Sequence, residues 1–290
     1  MRKAGSACWV WRQCEVGIES DPLRVVTANL NGLRSAASKG FLDWMLASEA
    51  DFICVQELKA RAPDLTPDLQ APSGYRGYFH FADKPGYSGV GLYSRSSPSS
   101  VVIGLNCPEF DAEGRYVELR FDSPERPWSI ISCYFPSGSS SEARQAAKYR
   151  FLDIIQPHLG RLSQEREFLL CGDINIAHRE VDLKNWRANQ RNSGFLPEER
   201  AWMDRLLDRS QAPGLVDVYR QLEPDATEAG YTWWSNRGQA WANNVGWRID
   251  YHLATAALAA TASKAAIHKA SRFSDHAPLT VSYDWEPLSG

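Results

Sequence analysis

The chain has 290 residues, of which 43% are apolar and 23% are charged, and its formal net charge is −3. This composition excludes a disordered chain and is typical of a globular protein with one large α/β domain or two small ones. The acidic total does not exclude a nucleic-acid partner, because such binding needs a basic face rather than a basic total.

Neither the N-terminus nor the cysteines indicate secretion. The apolar patch within residues 1–22 is too short for a signal peptide, and no apolar run approaches the length of a membrane span. The six cysteines form no CxxC pair, and Cys54, Cys133 and Cys171 lie inside apolar, strand-like runs. We therefore expect a cytoplasmic protein with reduced core thiols, a flexible extension over residues 1–22 and one domain over residues 23–290.

The first half of the chain predicts mostly strands. A buried strand at residues 23–30, an amphipathic helix at 35–50 and a strand at 51–57 favour a parallel strand pair. A Pro-Gly turn at residues 83–87 joins the next two strands. The further strands are expected at residues 75–82, 88–95, 100–105, 116–122 and 128–136.

The second half combines long helices with short apolar segments. The longest helix is predicted at residues 139–162 with Ser141 as its N-cap, and another at 197–208 begins with Pro197. Strands are expected at residues 167–175, 215–220, 232–235, 247–255 and 277–285. So many strands exceed what one sheet easily holds, which favours two packed sheets with helices outside them in one domain.

Polar side chains stand where these strands end or begin. They are Asn29 and Asn31, Glu57, Tyr134, Asp173 and Asn175, Asp250, and Asp275 with His276. Strand ends that share one edge of a layered α/β fold form its ligand crevice. Clustered carboxylates without thiolates favour Mg²⁺ or Mn²⁺, and an acid not bound to metal is left for proton transfer. Phosphodiester hydrolysis needs these components.

Most of these residues also have an ordinary structural explanation. The two asparagines could cap a helix, Glu57 could pair with Lys59 at the surface, and Tyr134 could be a core aromatic. The Asp and Asn that follow Gly172 could belong to a turn, and the Asp-His pair could cap a strand. Asp250, inside an apolar strand, needs a buried partner. Their joint occurrence favours a functional site.

Ten segments, in order over residues 24–285, resemble the exonuclease III branch of the endonuclease/exonuclease/phosphatase superfamily. These segments read NLNGLRS, QELK, GYSGVGLYSR, YFPSGSS, CGDINIAH, DLKNW, NSGFLPEER, YTWWSNRG, GWRIDY and FSDHAPL. The resemblance implies a four-layer α/β sandwich, with two mixed β-sheets packed face to face and helices outside, as in deoxyribonuclease I. It assigns residues 23–290 to one catalytic domain.

The resemblance also implies roles for the candidate residues. It implies three metal ligands, namely Glu57, Asn31 and Asp275. It implies five catalytic residues, which are Asp173 for proton transfer, Asn175 to orient water, His276 and Tyr134 to donate to the phosphate, and Asp250 to fix the His276 tautomer. Some relatives carry Asp where this chain has Asn31. Because Asn31 is neutral, the metal site of this chain has one less negative charge.

Two further groups follow from the resemblance. Trp233, Trp247 and Ile249 would line a pocket for a flipped-out, baseless sugar, whereas Trp234 is expected in the core. DNA-contacting positions are Asn29, Tyr87, Asn189, Asn192 and Arg237. Four cations either supply a basic face or are merely solvated, and these are Arg179, Lys184, Arg187 and Arg191.

The resemblance implies a Mg²⁺-dependent DNA repair enzyme, with Mn²⁺ as a substitute. Cleavage 5′ to an abasic site would leave a 3′-hydroxyl; the alternative is mainly 3′–5′ exonuclease or 3′-phosphatase activity. The third hypothesis is a catalytically silent regulator that binds nucleic acid. The complete set of acidic residues argues against it. An inositol or lipid phosphatase lacks support. The expected partner is double-stranded DNA with abasic sites or blocked 3′ ends, and the expected protein is a nucleoid-associated monomer.

Overall fold

The computed structural model describes residues 21–270 and 272–285, and the structural statements below concern these residues. The predicted N-terminal extension, residues 1–22, lies outside this part of the chain except for its last two residues. Among the helices of the described part, none is both long and apolar enough to cross a membrane.

The described residues form fourteen strands. They are β1 (Leu23–Asn29), β2 (Phe52–Gln56), β3 (Arg76–His80), β4 (Val90–Ser94), β5 (Ser100–Ile103), β6 (Tyr116–Phe121), β7 (Trp128–Tyr134), β8 (Glu167–Asp173), β9 (Val216–Asp217), β10 (Trp233–Trp234), β11 (Gly246–Trp247), β12 (Asp250–Ala254), β13 (Ala262–Ile267) and β14 (Leu279–Tyr283).

The same residues form nine α-helices. They are α1 (Leu33–Ser38), α2 (Phe41–Ala47), α3 (Pro67–Gln70), α4 (Pro108–Asp111), α5 (Glu142–Glu165), α6 (Trp186–Asn189), α7 (Pro197–Leu207), α8 (Val218–Leu222) and α9 (Ala256–Ala259).

Two six-stranded mixed sheets form the centre of the molecule. Their strand orders are β13-β14-β1-β2-β4-β3 and β5-β6-β7-β8-β12-β9. The pairs β1–β2 and β7–β8 are parallel, and the other pairs within the two sheets are antiparallel. The predicted parallel pair at the start of the chain is therefore confirmed, and β10 and β11 form a separate two-stranded ribbon.

The central strands are buried on both faces, which explains their nearly continuous apolar sequences. In β8, Leu169 and Cys171 pack between the sheets, whereas Phe168 and Leu170 pack under α5 and α7. On the other side, α1 and α2 cover the first sheet. The result is a four-layer α/β sandwich, as predicted.

The three core cysteines are free thiols. Cys54, Cys133 and Cys171 are fully buried and make no disulfide. Burial raises the pKa of the Cys133 and Cys171 thiols, so both stay protonated. The expectation of reduced core cysteines holds for these three.

Two predicted elements are corrected by the structure, and one strand was missed. The single helix at residues 35–50 is two helices, because Gly40 has a left-handed backbone (φ 94°) and separates α1 from α2. The predicted strand at residues 215–220 contains only the two-residue β9. Its last residue, Asp217, is also the N-cap of α8. Strand β13 was not predicted, because half of its residues are alanine and Ile267 is its single β-branched residue.

The longest helix agrees with its prediction at the N-terminus. Ser141 is the N-cap of α5, and its Oγ accepts a hydrogen bond from the backbone N of Arg144 at 3.2 Å. The helix then continues to Glu165. Helix α7 begins at Pro197, also as predicted.

Candidate active site

The strand ends meet at one edge of the sandwich. In the second sheet, Asp173 at the end of β8 lies beside Tyr134 of β7 on one side and Asp250 of β12 on the other. In the first sheet, Asn29 at the end of β1 lies beside Gln56, the last residue of β2. The structure therefore brings the sequence-predicted polar residues to one edge.

Asn29 connects the two sheets at this edge. Its Nδ2 donates to Glu57 Oε1 and to Asp173 Oδ2, both at 2.9 Å, and its Oδ1 accepts from the backbone N of Asn31 at 3.0 Å. The side chain is only 1% exposed. Asn29 therefore holds two carboxylates in place, and the expectation that it contacts DNA is corrected, because its polar atoms face the protein.

Three candidate residues adopt a backbone conformation that side chains other than glycine rarely take. Asn31, Glu57 and Asn175 have φ angles of 48°, 52° and 56°. Such left-handed residues cost about 1 kcal/mol each and cluster at functional sites. At these positions the chain leaves its strand and turns the side chain into the crevice.

His276 is held by Asp250 and directed at Asp173. Its Nδ1 lies 2.9 Å from Asp250 Oδ2, and its Nε2 lies 3.9 Å from Asp173 Oδ2. Burial alone would lower the pKa of His276, but Asp250, Asp173 and Asp275 surround it and raise its pKa to about 10. His276 is therefore a cation at neutral pH, with Nε2–H as its free donor.

Asp173 is the buried acid at the centre. Burial raises its pKa most, Asp250 and Glu57 raise it further, and His276 opposes them, so that the pKa lies at about 8. Its Oδ1 accepts from the backbone N of Asn175 at 2.8 Å. A carboxyl group with a pKa near working pH is suited to exchange protons with a reacting group.

A second set of oxygens converges on a cation. Lys59 Nζ contacts Glu57 Oε2 at 2.8 Å and also donates to Asn31 Oδ1. Asn31 Nδ2 in turn donates to Asp275 Oδ1 at 2.9 Å. Burial is the largest single influence and raises the pKa of Glu57, but Lys59, Asn29 and His276 together outweigh it, so the net shift is downward and Glu57 is ionised.

These residues fit a hard metal ion. Glu57, Asp173 and His276 each offer an atom within 4.8 Å of the others, but a protonated His276 whose Nδ1 faces Asp250 is a poor ligand. Oxygens of Glu57, Asn31 and Asp275 remain, and the Lys59 ammonium already lies between two of them. The donor set suits a divalent cation that prefers oxygen.

Tyr134 stands at the same edge as a proton donor. Burial raises the pKa of its hydroxyl well above the usual value, and the carboxylates of Glu57 and Asp173 raise it further. Arg115 lies beneath it, with its guanidinium 4.9 Å from the ring centre and Nη1 2.9 Å from the Tyr134 carbonyl oxygen. Arg115 also donates to the hydroxyl of Tyr87 at 3.2 Å.

The edge opens into a cavity of about 840 Å³. One wall is apolar and contains Trp233, Trp247 and Ile249, with the two indole rings 6.2 Å apart in an edge-to-face arrangement. The opposite wall is the hydroxyl-rich segment 137–141, which precedes α5. Trp234 is buried in the core, as predicted, and its Nε1 donates to Asn244 Oδ1 at 3.0 Å.

The predicted DNA-contacting residues lie around this cavity to different degrees. Asn192 and Arg237 are exposed and line the cavity. Asn189 bonds to Asn192 through its side chain. Tyr87 stands on the Arg115 side of the site, where its hydroxyl accepts from that guanidinium.

The four predicted surface cations also divide. Arg191 lines the cavity, whereas Lys184 pairs with Glu228. Arg187 stacks on Trp186, with 4.4 Å from the guanidinium to the ring centre, and Arg179 is exposed.

Three charged residues at the site were missed from the sequence, namely Arg115, Lys148 and Glu199. Lys59 was considered only as a surface partner of Glu57, and its contact with Asn31 was missed. For Lys148 a signal existed, because it stands in the apolar stripe of α5 between Ala147 and Phe151, where a charge needs a partner. The contacts of Arg115 with Tyr87 and Tyr134, and of Glu199 with Lys148, join residues that are distant in sequence.

The comparisons with known proteins agree with this geometry. Residues 26–276 match the family described as the Endonuclease/Exonuclease/phosphatase family. An exodeoxyribonuclease of Bacillus subtilis (strain 168) is 36% identical over 260 residues, which cover 89% of this chain and 98% of the relative.

Two further relatives carry names from DNA repair. A DNA-(apurinic or apyrimidinic site) endonuclease of Dictyostelium discoideum is 32% identical over 274 residues, covering 93% of this chain and 73% of the relative. Among solved structures, the AP endonuclease LMAP of Leishmania major superposes with a TM-score of 0.82 at 26% identity, covering 97% of this chain and 93% of that one.

Proposed function

The chain belongs to the endonuclease/exonuclease/phosphatase family as a phosphodiester hydrolase, and from this premise we propose that it is a Mg²⁺-dependent abasic-site endonuclease. The proposed reaction hydrolyses the DNA backbone 5′ to the lesion and leaves a 3′-hydroxyl. The proposed substrate is double-stranded DNA that contains an abasic site.

One observation carries the proposal. A protonated imidazole (His276), a buried acid with a raised pKa (Asp173) and an ionised carboxylate (Glu57) lie within 4.8 Å of one another at the mouth of a cavity. Hydrolysis of a phosphodiester needs an anion-binding donor, a proton acceptor and a cation site around one phosphorus atom. The three side chains supply these functions.

Glu57 and Asn31 would hold the metal ion, with Asp275 beside them. When bound, Mg²⁺ neutralises charge that develops on the phosphate, and Mn²⁺ is expected to substitute because it takes the same oxygen ligands. A bound ion would compete with the Lys59 ammonium for the oxygens of Glu57 and Asn31. Asn31 in place of a carboxylate gives the site one less negative charge and hence weaker metal binding.

The protein's own groups perform the proton transfers. Asp173, in its ionised form, accepts a proton from the attacking water, which Asn175 orients, and returns that proton to the departing 3′ oxygen as the P–O3′ bond breaks. His276 Nε2–H and the Tyr134 hydroxyl donate to the non-bridging phosphate oxygens, and Asp250 keeps the imidazole charged. Asn29 keeps Asp173 and Glu57 apart at a fixed distance through its two hydrogen bonds.

The apolar wall explains a preference for a baseless sugar. Trp233, Trp247 and Ile249 form a mainly apolar wall, in which the Trp233 Nε1 already donates to Asp275 Oδ2 at 3.2 Å, and extruding a nucleotide costs least where no base pair must break. Asn189, Asn192, Tyr87 and Arg237 would position the DNA backbone without reading its sequence.

Processing of 3′ ends is the second candidate, since the Bacillus subtilis relative is named an exodeoxyribonuclease. The same groups would then act on a terminal phosphodiester or phosphate. Both activities place the enzyme with the chromosome, so we keep a cytoplasmic, nucleoid-associated monomer as part of the proposal.

The test is a duplex oligonucleotide with one central abasic analogue and a 5′ label, incubated with Mg²⁺ or with EDTA. We expect one Mg²⁺-dependent cut at the lesion. A ladder that shortens from the 3′ end while the lesion stays intact would favour 3′-end processing. A retained band shift without cleavage in Mg²⁺ or Mn²⁺ would support the catalytically silent regulator.

A further inference from the structure

A fully buried ion pair lies directly behind the active site. Lys148 of α5 and Glu199 of α7 are both 0% exposed, and Lys148 Nζ lies 2.6 Å from Glu199 Oε1. A buried pair of this kind stabilises a fold little in comparison with apolar residues of the same size, because both charges lose their hydration. Stability alone therefore does not explain why this ion pair is buried here, and its other contacts do.

The second contact of Lys148 is with a candidate active-site residue. Nζ donates to the backbone oxygen of Asn175 at 2.8 Å. Asn175 has a left-handed backbone (φ 56°), and its Nδ2 donates to the carbonyl oxygen of Phe135 at 2.9 Å. The ammonium of Lys148 thus satisfies the carbonyl of a strained residue and helps fix the orientation of its side chain.

Glu199 connects the same pair to the cavity wall. Its Oε2 accepts from the backbone N of Gly194 at 2.7 Å and of Leu196 at 3.0 Å, and its Oε1 accepts from Gln145 Nε2 at 3.0 Å. Gly194 has a φ of 94°, and a Cβ at this position would lie 3.2 Å from both the Asn175 oxygen and the Trp247 ring. Gly194 therefore packs between Asn175 and the apolar wall.

We propose that Lys148 and Glu199 are positioning residues for hydrolysis, which set the placement of Asn175 and of the Gly194 segment beside Trp247. The inference rests on the proposed function, since it assigns Asn175 a part in the reaction. Neither Lys148 nor Glu199 lines the cavity, so neither touches the substrate.

The test is a double-mutant cycle between Lys148→Met and Asn175→Ala on the abasic duplex. Alone, Lys148→Met should lower kcat about tenfold while KM changes by less than about threefold, because an interaction made mainly in the transition state is lost. In the Asn175→Ala background, Lys148→Met should change kcat by less than about twofold, because its route of action is already removed.

Two further variants separate positioning from general damage. Lys148→Arg retains a charge and donors and should recover most of kcat. Arg120→Met removes the partner of another buried acid, Glu118, on β6, and should leave kcat unchanged even if the protein is destabilised. If Lys148→Met does not fold, the neutral pair Lys148→Gln/Glu199→Gln enters the same cycle, since it leaves no unpaired buried charge.

Amide hydrogen exchange gives a readout that does not depend on activity. At a temperature where the variant is folded, Lys148→Met should exchange faster than wild type in segments 174–177 and 192–196 and at the same rate in β1 and β2. Multiplicative effects on kcat in the cycle, or unchanged exchange in those segments, would overturn the inference. A wild-type protein that cuts no substrate would instead overturn the proposed function.

Discussion

The charge of His276 depends on three neighbouring carboxylates. Its pKa is raised from the usual 6.5 to about 10, in spite of complete burial, because Asp250, Asp173 and Asp275 face it. Asp250 is the partner in direct contact, at 2.9 Å from Nδ1. The charge that we assign to phosphate binding therefore rests chiefly on Asp250.

Replacing Asp250 with Asn should make activity more sensitive to alkaline pH. His276 acts in its protonated form, and its raised pKa keeps it protonated up to about pH 10 in the wild type. In Asp250→Asn the pKa of His276 should be lower, so the imidazole should lose its proton at a lower pH. We expect kcat/KM of Asp250→Asn to fall roughly tenfold more than that of wild type between pH 7 and pH 9. Superimposable pH profiles of the two proteins would contradict this role.

Glu57 should act through the metal. Since Glu57 and Asn31 share Lys59 as a cation, removal of the Glu57 carboxylate should raise the Mg²⁺ concentration at half-maximal rate by about tenfold, and high Mg²⁺ should partly restore the rate. The measurement is a Mg²⁺ titration of Glu57→Ala with Glu125→Ala, an exposed acid, as the control. A titration curve identical to that of wild type would exclude Glu57 as a ligand.

At the scale of single residues, the sequence predicted the groups that stand at strand ends, because strand periodicity locates those ends. Arg115 and the contact of Lys59 with Asn31 were missed, because Arg115 meets Tyr87 and Tyr134, and Lys59 meets Asn31, only in the folded chain. Asn29 was assigned to DNA for the same reason. Its position in the sequence did not reveal that two carboxylates would surround it.

At the scale of elements, Gly172 decides how closely β8 packs against β7. A Cβ at this position would lie 1.8 Å from the carbonyl oxygen of Cys133, which is backbone and cannot move aside. The next residue is Asp173. Strand β8 can therefore present its acid at the edge only if the preceding residue has no side chain.

Gly172→Ala should destabilise the protein and displace Asp173. We expect a loss of at least about 2 kcal/mol in the free energy of unfolding, since the clash forces backbone shifts in a packed core. Gly160→Ala is the matched control in α5, where a Cβ meets nothing nearer than 3.9 Å and should stabilise the helix by about 0.5–1 kcal/mol. Urea unfolding of both variants checks the pair, and an equal effect of the two would contradict the account.

Elements with a clear periodicity of apolar residues were predictable from the sequence, and the two-residue strands were not. Helix α5 and the central strands carry long apolar patterns, whereas β10 and β11 have two residues each and exist through pairing with one another. The break at Gly40 was missed because the apolar period continues from α1 into α2. A glycine inside a helical pattern permits a break without requiring one.

At the scale of the whole molecule, the net charge of −3 does not show where the cations lie. The edge that carries the catalytic acids also carries Arg191 and Arg237 at the cavity rim. The opposite edge, at the end of β12, has Arg209 beside Thr255. Only the cations of the first edge can contact DNA bound over the cavity.

DNA binding should therefore depend on salt through a few residues. The Kd for an abasic duplex, measured in EDTA, should rise at least about tenfold between 50 and 200 mM KCl, as counterions are released from contacted phosphates. Arg237→Ala should reduce the slope of log Kd against log salt by about one, and Arg209→Ala should leave it unchanged. A flat salt response of the wild type would argue against DNA as the substrate.

The most direct test concerns Asp173, the acid on which both sheets converge. We would measure the single-turnover cleavage rate and the Kd of Asp173→Asn and wild type on the 5′-labelled abasic duplex in Mg²⁺. We expect a cleavage rate lower by about 10³-fold, with a Kd within about threefold of wild type, because proton transfer is lost while the binding surface is intact. An unchanged cleavage rate would remove Asp173 from the mechanism and contradict the proposed chemistry of the site.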